Sequence, residues 1–210
     1  AGTAITTGDN NVAVGYTALD ATNTGADNVA VGYASLSTNI TGIRNTATGS
    51  NALFVNTGSY NTANGAFSMY TNIGGASNTA TGIYSLYANT TGDFNVAVGN
   101  QALNGNTIAD NNTAVGNQSL KANTEGNNNV AVGHQALTAD TLGSRNTAIG
   151  FGTLDAQNFT GATNSNNTAL GYAAGSAVST GIDNTLLGAR AGMVLSDADY
   201  NVAVGMGALT

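Results

Sequence analysis

The chain has no cysteine, no proline and no tryptophan, and charged side chains make up only 7% of its 210 residues. Without cysteine, neither a disulfide framework nor a thiolate metal site can form. Four Lys and Arg residues stand against eleven Asp and Glu residues, so the basic stripe that neutralises nucleic-acid phosphates is missing. No run of about 18 apolar residues occurs. The sequence therefore predicts neither nucleic-acid binding nor membrane insertion.

In place of charge, the polar surface consists of Asn, Thr, Ser and Gly. This composition is typical of extracellular fibres and of fibres on virions. It predicts an extracellular location, on a cell surface or a virion surface.

The five residues Asn-Val-Ala-Val-Gly at 11–15 recur throughout the chain with small changes. Nine of the eleven intervals between copies are 17 residues long, one is 16 and one is 21. A constant short period indicates one elongated repeat domain over residues 1–210. The phase of the repeat at both ends predicts that this domain belongs to a longer fibre. The twelve copies begin at Asn11, Asn28, Asn45, Asn61, Asn78, Asn95, Asn112, Asn129, Asn146, Asn167, Asn184 and Asn201.

Aligning the copies shows which residue type each position of the repeat prefers. The first position is always Asn, the fifth is always Gly, the third is Ala in eleven copies, and the ninth is Leu in nine. We take the first, fourth, fifth and ninth positions as scaffold. In three representative copies these residues are Asn11, Val14, Gly15, Leu19, Asn95, Val98, Gly99, Leu103, Asn129, Val132, Gly133 and Leu137.

Each copy predicts one coil of an all-β parallel β-solenoid. The first five residues alternate as a strand, Gly turns a corner, residues such as 16–19 form a second short strand, and a polar loop of roughly eight residues closes the coil. About twelve such coils, stacked like on like, would form a two-sided roll. A hexapeptide β-helix and a calcium-binding nonapeptide roll fit less well, because neither sequence pattern occurs.

The predicted core is thin and consists of the fourth-position and Leu columns. The Asn column either forms a ladder of side-chain amides or tolerates a turn. Ala and Gly columns permit close approach of backbones, so we expect them to pack against sister chains in a homo-oligomer, most simply a threefold one.

Asn-Val-Ala-Val-Gly-Tyr-x-Ala-Leu at 11–19 resembles the head repeats of YadA-like trimeric autotransporter adhesins, and similar repeats of phage tail fibres and surface fibres. The resemblance extends from Gly8 to Leu209, although the repeat is longer than is common in that family. It implies a left-handed parallel β-roll, a homotrimer, and attachment to a host surface glycan or protein.

Seven of the thirteen aromatic residues lie between Phe54 and Phe94. They suggest a ligand patch, or else they fill gaps left by small core residues and seal a chain interface. The predicted patch consists of Tyr60, Phe67, Tyr70, Tyr84 and Tyr87.

No catalytic, cofactor or metal site is predicted. The single histidine, His134, has no nucleophile at a fixed spacing, and Asp197 with Asp199 more simply form a solvated loop than a Ca²⁺ site. The insertion at 158–166 predicts an enlarged loop.

The sequence thus favours a fibre or adhesin segment that is not an enzyme. Two alternatives are an ice-binding solenoid, because seven second positions are Thr, and a self-assembling filament or sheath subunit without a ligand.

Overall fold

A computed structural model describes residues 1–2, 5–21 and 24–210, and these contain fourteen short strands and no helix. Twelve of the strands have three residues and coincide with positions two to four of the repeat. The strands are β1 (Val12–Val14), β2 (Val29–Val31), β3 (Thr46–Thr48), β4 (Thr62–Asn64), β5 (Thr79–Thr81), β6 (Val96–Val98), β7 (Thr113–Val115), β8 (Val130–Val132), β9 (Gly143–Ser144), β10 (Thr147–Ile149), β11 (Thr163–Asn164), β12 (Thr168–Leu170), β13 (Thr185–Leu187) and β14 (Val202–Val204).

The twelve longer strands form one parallel sheet in which each strand pairs with the next along the chain. Equal repeat positions are paired, as in Val12 with Val29 and Ala13 with Ala30. The predicted parallel β-solenoid is therefore confirmed. About eleven turns of about 17 residues connect the twelve strands, slightly fewer than the twelve coils expected.

The second predicted strand of each coil is wrong, because this segment is a turn. Thr17 and Leu19 both have left-handed backbones, with φ of 54° and 48°, and the same two repeat positions are left-handed in most other coils. Left-handed residues at alternate positions bend the backbone, so this segment does not adopt the extended conformation of a strand. Hydrogen bonds still run from coil to coil, for example from the Leu36 amide to the Ala52 carbonyl at 3.0 Å. Each coil thus has one sheet side and one turn side.

The interior lies between these two sides and is filled by third-position Ala and ninth-position Leu. Ala97 and Leu103 are both fully buried, and the predicted burial of Leu19 and Leu137 is confirmed. The predicted core role of the fourth position is wrong. Its side chain points away from the buried Ala of the same strand, since successive strand residues face opposite ways.

Glycine at the fifth position is required by the stacking of coils. Gly99 has a φ of +135°, and a Cβ built there would lie 2.5 Å from the carbonyl oxygen of Gly116 in the next coil. The Ala column is buried within the same chain, so both invariant columns are explained by packing inside one chain. Their constancy between copies therefore gives no separate indication of contact with sister chains.

Two irregularities of the repeat compensate each other. Gly175 and Gly192 replace the core Leu, and Leu186 replaces the usual Ala. A Cβ at Gly175 or Gly192 would lie 2.7 or 2.8 Å from a methyl group of Leu186. The larger side chain fills the space that the two missing Leu side chains leave.

The insertion at 158–166 does more than enlarge a loop. Its Thr163–Asn164 segment forms β11, which pairs in parallel with β9 at Gly143–Ser144. Phe159 is buried with 6% of its surface exposed. The extra residues therefore add a second small sheet beside the continuous one.

Candidate interaction surfaces

The outer side of the twelve-stranded sheet carries two rows of side chains, which we call the strand face. It consists of the second and fourth positions of every coil. Val14 is 56% exposed and Val98 is 37% exposed, while Val132 is half-buried, so all three lie on this surface and not in the core. The sequence correctly places the second and fourth positions on one side and Ala on the other, but it assigns the two sides the wrong way round.

The strand face is uncharged over its whole length. Its 24 positions hold eleven Val, nine Thr, two Leu, one Ile and one Asn. Rows within a strand are about 7 Å apart and successive strands about 4.8 Å apart. The result is a narrow, regular and largely apolar strip about 53 Å long, calculated from eleven strand spacings.

Aromatic side chains of neighbouring coils stack in columns along the solenoid. Phe54, Tyr70 and Tyr87 form one column, with ring centroids 5.1 and 5.3 Å apart. Phe67 and Tyr84 form a second column at 5.2 Å. Contacts at 5.9 and 5.6 Å join the two columns. These five rings make up the aromatic cluster.

The aromatic cluster differs from the predicted patch in one member. Tyr60 belongs to another column, just before the motif Asn, and the Arg44 guanidinium lies 5.7 Å from the centre of its ring. Phe54 takes its place. Because the rings in each column stack nearly parallel, with interplanar angles of 6° to 13°, their faces contact each other. A sugar ring needs a free aromatic face, so this geometry favours cohesion between coils over ligand binding.

Tyr70→Ala should therefore lower stability more than Tyr60→Ala. Tyr70 contacts three other rings, and each aromatic pair contributes about 0.5 to 1.5 kcal/mol beyond its buried area. We expect Tyr70→Ala to lower the free energy of unfolding by roughly 2 to 4 kcal/mol. Tyr60→Ala should cost under about 1 kcal/mol. Urea unfolding followed by circular dichroism measures both, and equal losses would contradict a cohesive role.

Buried asparagines join each coil to the next. In the motif column, Asn95 Nδ2 donates to the Ala109 carbonyl at 2.8 Å, and Asn95 Oδ1 accepts from the Asn112 amide at 3.0 Å. No described motif Asn has a positive φ, so turn tolerance does not explain this column. The predicted ladder exists, but its rungs are mainly bonds from side chain to backbone.

A second buried Asn column was missed by sequence reasoning. Here the side chains bond directly to each other, with Nδ2 of each Asn donating to Oδ1 of the preceding one at 2.6 to 3.1 Å. The signal was available, because an Asn recurs five or six residues before the motif Asn. The column consists of Asn39, Asn56, Asn72, Asn89, Asn106 and Asn123.

Asp140 interrupts this second column. The position after Asn123 is an acid, which cannot donate while ionised, and Asn123 Oδ1 is buried without a hydrogen-bond partner. Asp140 is only 1% exposed and accepts hydrogen bonds from the Gly143 amide at 3.0 Å and from Gln157 Nε2 at 2.6 Å. Burial raises the pKa of the Asp140 carboxyl, and these hydrogen bonds oppose the shift. Protonation would supply the donor that the column lacks.

Other polar residues considered as sites have structural partners. Asp93 and Asp110 accept hydrogen bonds from backbone amides of the preceding coil, and so does Asp199, which accepts from the Ile182 amide at 2.8 Å. His134 stacks on Phe151 at 5.1 Å. Within residues 1–2, 5–21 and 24–210, no three His, Cys, Asp or Glu side chains are grouped to hold a metal ion.

One cavity of about 570 Å³ opens beside the last coil. Met193 and Met206 form part of its lining, together with Tyr172 and Arg190. The Arg190 guanidinium is already placed 5.9 Å from the centre of the Tyr172 ring. No Asp, Glu or His side chain is among the described residues that line this cavity.

Comparison with protein families, with curated proteins and with solved structures gives no match for this chain. In the described part of the chain, no helix is long and apolar enough to cross a membrane. The strand face, the aromatic cluster and the buried Asn columns are therefore the features on which a function can be argued.

Proposed function

We propose that this chain is a rigid segment of an attachment fibre on a cell or virion surface, in which three copies run side by side. The observation that carries the proposal is the continuity of bonding along the solenoid. Every repeat interval, including those of 16 and 21 residues, preserves the same strand register. A rod whose strands pair in the same register at every level transmits force and keeps its ends apart, which is what a fibre shaft requires.

The sequence resemblance and the exposed surface both support this proposal. The resemblance at 11–19 implies attachment fibres of three chains. The strand face supplies a long uncharged surface that a lone chain leaves in water, such as Val202 at 70% exposure. Exposed apolar strips of this size on soluble proteins commonly mark sites of protein contact.

Antibodies against the purified chain test the proposal directly. They should label projections on the surface of intact producing cells or particles, as seen by immunogold electron microscopy. Purified chain added in excess should also compete with attachment to the host surface. Surface labelling without competition would favour the filament or sheath alternative, and labelling confined to the cell interior would overturn the proposal.

An ice-binding function is the second candidate, because one observation favours it. Second- and fourth-position side chains form two regular exposed rows, and Thr fills seven of the twelve second positions. Thr stands in both rows only in β3 and β5, while five strands carry Val in both rows and four set Thr beside an aliphatic residue. Thermal hysteresis of the purified chain decides the matter. Its absence removes this candidate, and its presence would assign the strand face to ordered water.

A further inference from the structure

We propose that the strand faces of neighbouring copies meet around a common axis along the rods, with the rods parallel and unstaggered. The second-position row of one copy then lies against the fourth-position row of the other. This inference rests on the proposed function only in that the fibre contains several copies. It identifies the surface of contact and its register, and both follow from how residues are distributed along the strand face.

The size of the strand face suits a specific contact. It is about 53 Å long and roughly 12 Å wide when side-chain radii are included, which gives about 600 Å² for each copy. Three copies would together bury about 1,800 Å², which is the size of a specific interface. All 24 positions are uncharged, so docking desolvates no ionised side chain.

In eight of the twelve strands, the two rows of the strand face are matched in polarity. All five strands with Val at the second position also have Val at the fourth, namely β1, β2, β6, β8 and β14. All three strands with a polar fourth position have Thr at the second, namely β3, β4 and β5. The remaining four strands place Thr beside Val, Ile or Leu, where the Thr methyl group offers apolar contact.

This distribution of residues determines which side chains meet when the second row of one copy lies against the fourth row of another. Rotation about an axis along the rod keeps equal levels together, and it brings the second row of one copy against the fourth row of the next. Val96 then faces the partner's Val98, and Thr79 faces the partner's Thr81. In the eight matched strands, aliphatic groups thus meet aliphatic groups and polar groups meet polar groups. In the other four strands, a Thr methyl group meets Val, Ile or Leu.

The consecutive polar strands β3, β4 and β5 fix the register. Their buried hydroxyl and amide groups need partners, because an unpaired buried polar group costs about 1 to 3 kcal/mol. With the rods antiparallel and their ends aligned, Thr48, Asn64 and Thr81 would face aliphatic residues of β12, β10 and β8. A stagger of one coil would place Thr48 against Val29 of the other copy. Only the parallel, unstaggered arrangement pairs all three polar strands.

Disulfide trapping tests the register, and the natural absence of cysteine makes it clean. Copies carrying Val96→Cys are mixed with copies carrying Val98→Cys, reassembled and mildly oxidised. We expect a cross-linked heterodimer on non-reducing gels. The control replaces the second variant by Val132→Cys, two strands away and therefore about 10 Å further along the rod, beyond disulfide reach. Absence of the 96–98 product, or equal yields in both mixtures, would overturn the proposed register.

Mass measurement tests whether the strand face carries the contact at all. Val132→Lys places a charge on the strand face and should shift the assembly to monomer in analytical ultracentrifugation, with the urea midpoint of the chain itself little changed. Asn117→Lys adds the same charge to an exposed position outside the strand face and should leave the mass unchanged. A wild-type chain that is monomeric at every concentration would overturn the inference. Surface labelling in that case would still support a place on an attachment fibre, but not the arrangement of three copies.

Discussion

Gly99→Ala is expected to lower the free energy of unfolding by roughly 3 to 5 kcal/mol, from backbone strain together with a steric clash. Gly99 has a φ of +135°, which residues with a Cβ rarely adopt, and the new Cβ would lie 2.5 and 2.6 Å from carbonyl atoms of Gly116. The two Gly116 atoms that the new Cβ would meet belong to the backbone. They cannot move without separating two coils. The loss should appear as a lower urea midpoint, or as failure to fold.

Two control variants separate the causes of this loss. Gly205 has a φ of +122°, but no atom lies within 4 Å of the point that a Cβ would occupy, so Gly205→Ala keeps the strain without the clash. Its cost should be about 1 to 3 kcal/mol. Gly161 has neither feature, and Gly161→Ala should change stability by less than about 0.5 kcal/mol. Equal effects at Gly99 and Gly161 would show that the coils do not stack through the Gly column.

Asp140→Asn is expected to raise stability at neutral pH by about 1 to 3 kcal/mol, which is unusual for substitution of a fully buried residue. An amide at this position provides the Nδ2 donor that the buried Asn123 Oδ1 lacks. It also removes a carboxyl group whose charge is penalised by burial. Its single oxygen keeps one of the two hydrogen bonds that the carboxylate accepts, from Gln157 or from the Gly143 amide, and the loss of the other places the expected gain at the lower end of this range. The second Asn column would then continue through one more coil.

The same substitution should change the pH dependence of stability. Because the pKa of Asp140 is raised in the folded chain, the folded state holds this proton more tightly than the unfolded chain does. The contribution of this proton to the free energy of unfolding of the wild type is fully present below the unfolded pKa of 3.8. It is lost as pH rises through the higher folded pKa. The stability advantage of Asp140→Asn should therefore shrink as pH falls through this window.

Urea titrations between neutral pH and about pH 4 measure this difference, with the exposed Asp9→Asn as control. Asp9→Asn makes the same replacement outside the second Asn column, so the difference between the two variants isolates the effect of position 140. A constant offset between Asp140→Asn and the wild type at every pH would show that Asp140 does not exchange its proton with folding, and a destabilised Asp140→Asn would show that the carboxylate is preferred.

The sequence was enough to predict the solenoid, because the period and the invariant Asn and Gly fix the coil and its register. It was not enough to orient the strand. Alternation places Val96 and Val98 on one side of the strand and Ala97 on the other. Because Val is usually buried in preference to Ala, the sequence predicts that the Val side faces the interior, and this prediction is wrong. The interior is already filled by the Leu column, and of the three side chains of β6 only the small Ala97 is buried.

The aligned copies show the second Asn column. They also show that Leu186 replaces Ala where Gly175 and Gly192 replace Leu. Their roles needed the structure, because hydrogen bonding and space filling between coils depend on which columns face inward.

Of the predicted aromatic patch, four rings lie in the aromatic cluster and Tyr60 does not. The stacking of these rings, as of Phe67 on Tyr84 at 5.2 Å, depends on the coil geometry, and ligand binding by the patch stays a prediction.

The orientation of the strand is most directly tested by thiol accessibility at three consecutive positions. Single variants Val96→Cys, Ala97→Cys and Val98→Cys are prepared with Val132→Lys to keep the chain unassembled, and their reaction with a maleimide is timed. The thiols at positions 96 and 98 should react at rates approaching that of an unstructured peptide, while the thiol at position 97 should react only as the chain unfolds. Rapid reaction at position 97 with protection at position 98 would contradict an outward strand face, and with it the proposed mode of assembly.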